Sequence, residues 1–218
     1  MSEPGAVATG SEKYVAAPRD SSGRSAKHTE TTMGNPSKLG SLVDADFVPH
    51  RYANSWDVQK TRGPERLVIG PESNQVELML DLAQALAEPF GILYLLLISR
   101  RGREPARYQS PYPCERAEVE SFFRSFKEFF EFDGRHHVWL ISLPDSSTIV
   151  YDQHNVIYAY GPRQQFQDVL RKQGFRRGSV IFPAPHSHHY NSEFDDEEER
   201  LLAYWHWRQS PLQESDNL

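Results

Sequence analysis

The chain has one cysteine, Cys114, in 218 residues. An intramolecular disulfide is therefore excluded, and a reducing, cytoplasmic setting is expected. Apolar residues make up only 38%, low for a chain that is globular throughout, so part of it is expected to lack a core. The most hydrophobic run, residues 90–99, is too short to span a bilayer as a helix. No apolar stretch lies near the N-terminus, so neither a membrane segment nor a secretory signal is expected. Phosphate-cradling glycine motifs are missing: there is no Gly-x-Gly-x-x-Gly and no P-loop. Nor is there an excess of positive charge. The net charge is -6, which argues against a general affinity for nucleic acid.

The apolar shortfall is concentrated in residues 1–45, which are rich in Ser, Gly, Ala and Thr. This stretch carries five basic and five acidic residues and has no periodic apolar face. It reads as a disordered tail. A single domain is expected over 46–210, followed by a short tail over 211–218.

Within the domain, apolar spacings of three and four predict a helix over 72–87 (Val76, Met79, Leu80, Ala83, Leu86). The continuous run 91–98 reads as a strand buried on both faces. Val119, Phe122, Phe123, Phe126, Phe129 and Phe130 form a stripe at helical spacing over 115–131. The simplest reading of that stripe is a helix laid on a sheet. Residues 137–143 read as a strand. Residues 147–151 and 156–160 read as a hairpin around Asp152-Gln-His-Asn155. A third helix is expected over 162–173, a short strand over 179–182, and a last helix over 196–208 with Asp195 as its N-cap. The fold class is α+β: a mixed sheet of five or six strands packed with three to four helices. In size and element order the chain resembles small bacterial α+β proteins such as toxin-immunity proteins; no residue role follows from that resemblance.

The densest chemistry lies in residues 183–199. His186, His188 and His189 precede six acids, Glu193 and Asp195 to Glu199. In an extended segment His186 and His188 share a face, the geometry of a metal-binding His-x-His pair. Further ligands for zinc or a similar divalent metal could come from His189, Asp195, Asp196, Glu193, His136 or His154. The pattern departs from metallo-β-lactamases, because the run lacks their aspartate, and the chain is too short for an amidohydrolase barrel. A solvated loop is the plain alternative, and the acids alone suit the start of a helix. Asp152 and His154, two apart in the hairpin turn, are candidates for proton transfer; ordinary turn chemistry is the plain reading. Arg100, Arg101, Arg103 and Arg107 with Tyr108 form a candidate surface for an acidic partner. Cys114 lies beside Glu115, which would oppose a thiolate.

Two functions follow. One is a non-enzymatic protein-binding or regulatory, immunity-like module. The other is a metal-dependent hydrolase or metal-binding protein using His186 and His188. The second gains if those histidines converge with a carboxylate or with His154, and the hairpin turn is the expected neighbour.

Overall fold

The computed structural model describes residues 37–43 and 46–216. In chain order the strands are β1 (Leu39–Val43), β2 (Asp46–Pro49), β3 (Ser55–Gln59) and β4 (Arg66–Gly70). Helix α1 (Gln75–Ala83), β5 (Phe90–Leu96) and β6 (Ala106–Gln109) follow. Next come α2 (Arg116–Ser125), α3 (Lys127–Phe132), β7 (His136–Ser142), β8 (Thr148–Tyr151) and β9 (Ile157–Tyr160). The chain ends with α4 (Arg163–Lys172), β10 (Arg176–Arg177), β11 (Ser187–His188), α5 (Asp195–Tyr204) and β12 (Arg208–Ser210).

The α+β class is as expected, but the sheet is larger than five or six strands. Nine strands run in the order β10-β3-β4-β9-β8-β7-β5-β6-β12, and a second sheet has the order β11-β1-β2. Only the β10–β3 pair of the large sheet is parallel. In the large sheet the additional strands are β3, from the stretch before Gly63, β6, from the arginine-rich loop, and the short β10 and β12.

Strand alternation separates two buried layers. Leu67 and Ile69 on β4, Ile149 and Tyr151 on β8, and Ile157 and Ala159 on β9 join the main core with the helices. The residues between them, Val68, Val150 and Tyr158, join a smaller core on the opposite face with Leu39 and Tyr52. This is the period-two geometry of a strand expressed on both faces.

The phenylalanine stripe is core. Phe122, Phe123, Phe126, Phe129 and Phe130 are all buried. Their helix is not continuous over 115–131, however. It breaks at Phe126, whose φ of -119° and ψ of 19° end α2 before α3 begins. The start of α2 is fixed by a capping box between Glu115 and Glu118. Helix α1 is shorter than expected: past Ala83 its apolar face continues in tight turns that carry Leu86 into the core.

Three further expectations are corrected. Residues 37–43 of the expected tail belong to the fold: Lys38 and Leu39 are fully buried, and β1 sits between β2 and β11. The rest of that tail, 1–36 and 44–45, lies outside the described residues. Residues 179–182 are not a strand; they cross the second face without a ladder, with Val180 packed on the smaller core. Asp195 is not a cap. The N-cap position is Phe194, and Asp195 instead bonds the buried Arg135. No helix among the described residues is long and apolar enough to cross a membrane.

Candidate metal centre

The hairpin β8–β9 places its turn at the edge of the second layer. Asp152, fully buried there, accepts the backbone N–H groups of His154 and Val156 on Oδ1, each at 2.9 Å. This is the local chemistry for which Asp is favoured in turns. Its other oxygen, Oδ2, lies 2.7 Å from Nδ1 of His154. Asp152 therefore fixes the ring and leaves Nε2 of His154 facing outward.

Opposite this turn, β11 is held to β1 by the pairs Leu39–His188 and Gly40–Ser187. Alternation about Ser187 then directs His186 and His188 to one side. Their rings lie 5.2 Å and 4.8 Å from the ring of His154, and 5.3 Å from each other. One ligand atom from each of the three histidines falls within 4.8 Å of the others. A tetrahedral zinc ion with bonds of 2.0–2.1 Å separates its nitrogen ligands by about 3.4 Å. The nitrogen separations would have to shorten from up to 4.8 Å to that value for the three imidazoles to share one ion.

The electrostatics favour the neutral imidazole of His188. Burial, then the nearby rings of His154 and His186, push His188 down to about 3. Its Nε2 is buried and has no hydrogen-bond partner among the described residues. Burial opposes the charge of Asp152, but the hydrogen bond and charge of His154, with further help from His137 and Val156, hold its carboxyl below the ordinary range. Beneath the site lies His137, buried on β7, with neither ring nitrogen hydrogen-bonded among the described residues. Burial pushes it down to about 4, against the attraction of Asp152. Lys38 is buried behind the cluster; its Nζ donates to the Phe130 carbonyl at 2.8 Å and lies 3.8 Å from the centre of the Tyr151 ring. Burial lowers Lys38 to about 7, against the pull of Asp152, Asp133 and Glu131.

The rest of the expected metal set lies elsewhere. His189 points away from His188, and its ring packs on Phe47 at 5.0 Å. Its backbone is pinned on both sides, to Lys38 and to Gly134. Asp195 belongs to a charge cluster around Arg135, a fully buried residue. Arg135 donates to both oxygens of Asp133, to Glu198 at 2.8 Å, to Asp195 at 3.1 Å and to the Asn191 carbonyl at 2.9 Å. Burial alone would favour loss of its proton; these acids outweigh that and raise its pKa. Asp133 also accepts the Asn191 amide, and Asn191 donates to the Phe132 carbonyl. The loop before β7 thus clamps the chain directly after the histidines.

The arginine segment and the acidic helix answer each other. Arg100 pairs with Asp195, Arg101 with Asp196, Arg103 with Glu199 and Glu198, and Arg107 with Asp216. Tyr108 is buried in the main core. Cys114 is buried too, and burial raises its thiol pKa, with Glu118 adding to the effect.

Sequence reasoning missed Lys38 and His137. Lys38 had been placed in the tail, and His137 read as an ordinary strand start. His154 was visible both as a turn residue and as a possible third ligand, and the meeting of its turn with the histidine segment was expected. No protein-family model, no curated protein and no solved structure matches this chain, so its function rests on its own residues.

Proposed function

We propose that this protein binds a zinc-class divalent metal through His154, His186 and His188, and that the site is of the hydrolytic kind. The observation that carries this reading is the convergence of the three imidazoles with Asp152 bonded behind one of them. A carboxylate on the far nitrogen fixes the tautomer of a ligating histidine and raises its basicity. An all-nitrogen set suits zinc, copper or nickel better than magnesium or calcium. Three protein ligands leave a fourth position for water, the arrangement of catalytic rather than structural zinc sites. His186 is exposed, so solvent reaches the cluster. A metal there would supply an activated water for attack on an ester or amide carbonyl. A protein-binding module built on residues 100–108 draws less support, since each of its four arginines already has an acidic partner within the chain.

The test is elemental analysis of untagged protein purified without chelator, beside the His186→Ala/His188→Ala variant. One equivalent of metal in the wild type and none in the variant is expected, with hydrolysis of a nitrophenyl ester following the metal. Equal metal content in the two proteins would refute the site. Metal without hydrolysis would leave a metal-binding protein and remove the catalytic part of the reading.

A further inference from the structure

A second site lies on the other side of the turn that carries His154. A cavity of about 230 Å³ is lined by Ser37, His50, Arg51, Gln75, Glu131 and Asn155, among others. Its walls hold polar groups that bond nothing among the described residues. Gln75 is only 5% exposed, and its side chain makes no hydrogen bond among the described residues. Asn155, 8% exposed, uses its Oδ1 to accept the Tyr151 hydroxyl at 2.5 Å and leaves its NH₂ group unused. Glu131, 5% exposed, caps the start of α1 by accepting the Val76 amide on Oε1 at 3.0 Å and leaves Oε2 unused. His50 has a buried Nε2 with no hydrogen-bond partner among the described residues. Buried polar groups in native proteins are almost always satisfied. Of these groups only His50 Nε2 is shut from solvent; those of Gln75, Asn155 and Glu131 open into the cavity, where a polar molecule can bond them.

The placement of charge narrows its chemistry. The deep wall offers acceptors: the free oxygen of Glu131, the Gln75 carbonyl oxygen and His50 Nε2. The rim offers Arg51, an exposed guanidinium with no acid bonded to it among the described residues. Burial raises the Glu131 carboxyl above its ordinary range, against the Val76 amide bond and the charges of Lys127 and Lys38, so a cationic group beside it would restore its charge; Glu72 shares the rim with Arg51. An anion alone would meet Glu131, and a simple cation would meet Arg51. A zwitterion satisfies both ends.

We propose that this cavity binds a small zwitterion of amino-acid size, its ammonium group on Glu131, Gln75 and His50 and its carboxylate on Arg51. The site is independent of the metal centre.

The experiment is a binding screen of the full-length protein against the twenty proteinogenic amino acids at millimolar concentration, read by chemical-shift changes of the backbone amides. Saturable binding of at least one is expected, with shifts centred on residues 72–76, 131 and 155. Arg51→Ala changes an exposed side chain and should leave the fold intact while weakening that ligand about tenfold. Glu131→Gln should weaken it by a similar factor. The N-acetylated ligand should lose the Glu131 dependence, and the C-terminal amide should lose the Arg51 dependence. If no amino acid binds saturably, the cavity holds water only and the proposal fails. Binding that is indifferent to Arg51→Ala, or to N-acetylation of the ligand, would also overturn it.

Discussion

Replacing Arg135 by Met isolates the main electrostatic joint of the molecule. Arg135, Asp133 and Glu198 have fully buried side chains, and the guanidinium bonds both acids directly. A methionine fills a similar volume but leaves two carboxylates in the interior without their cation. Breaking a buried pair from one side costs about 3–5 kcal/mol, far more than the pair contributes over an apolar replacement. Some compensation remains. Glu198 keeps the Ser99 hydroxyl at 2.6 Å and Arg103 at 3.8 Å, and Asp195 keeps Arg100 at 3.2 Å. The expected loss is therefore about 3 kcal/mol, the lower end of that range. An exposed pair such as Arg171–Asp168 should lose about 1 kcal/mol or less when broken. Urea denaturation of Arg135→Met, Arg171→Ala and wild type reads the contrast. Adding Glu198→Met to Arg135→Met should recover part of the loss, because one stranded charge is removed. A cost below about 1 kcal/mol for Arg135→Met, or no recovery in the double variant, would refute the account of this cluster.

Other outcomes follow from the same reasoning. Phe126→Ala should cost about 3–5 kcal/mol in the same assay, since the ring is buried between Phe122, Phe130 and Tyr204; a near-neutral result would mean that the stripe is not core. Lys38 falls from 10.5 in the unfolded chain to about 7 in the fold, so between those values the unfolded chain binds the extra proton. Wild-type stability should therefore rise from pH 7 to pH 9, the gain being lost as pH falls through about 7; Lys38→Met should flatten the slope, and an unchanged slope would contradict the buried position of that amine. Asp152→Asn can keep the turn's hydrogen bonds but loses the carboxylate behind His154, so zinc affinity should fall about 10–100-fold while the thermal midpoint without metal stays close to wild type. Unchanged affinity would remove Asp152 from the site.

Much of the core was legible because it is periodic. The phenylalanine stripe, the buried run that became β5 and the β8–β9 hairpin all follow from local spacing. What was hidden is non-local. Nothing in Ser37-Lys-Leu-Gly-Ser-Leu-Val43 announces a central strand, because polar residues flank a short apolar pattern and its key residue is a lysine. Lys38 becomes buried only through the Phe130 carbonyl and the Tyr151 ring, both far away in sequence. Phe126 breaks a helix that propensity would continue. Asp195 has ideal cap chemistry, but a buried arginine sixty residues earlier captures it. The arginine loop reads as a surface for an acidic partner, and Arg100, Arg101 and Arg103 pair instead with the acids that begin α5. The histidine pair was legible from alternation, and the hairpin turn was legible as its neighbour because Asp152 and His154 lie two apart in it.

The most direct test of the central claim is a calorimetric titration of metal-free protein with zinc. Wild type should bind one ion per chain, and His186→Ala/His188→Ala should show no binding at that site. The absence of stoichiometric binding by wild type, or the same isotherm for both proteins, would contradict the assignment of His154, His186 and His188 as a metal centre.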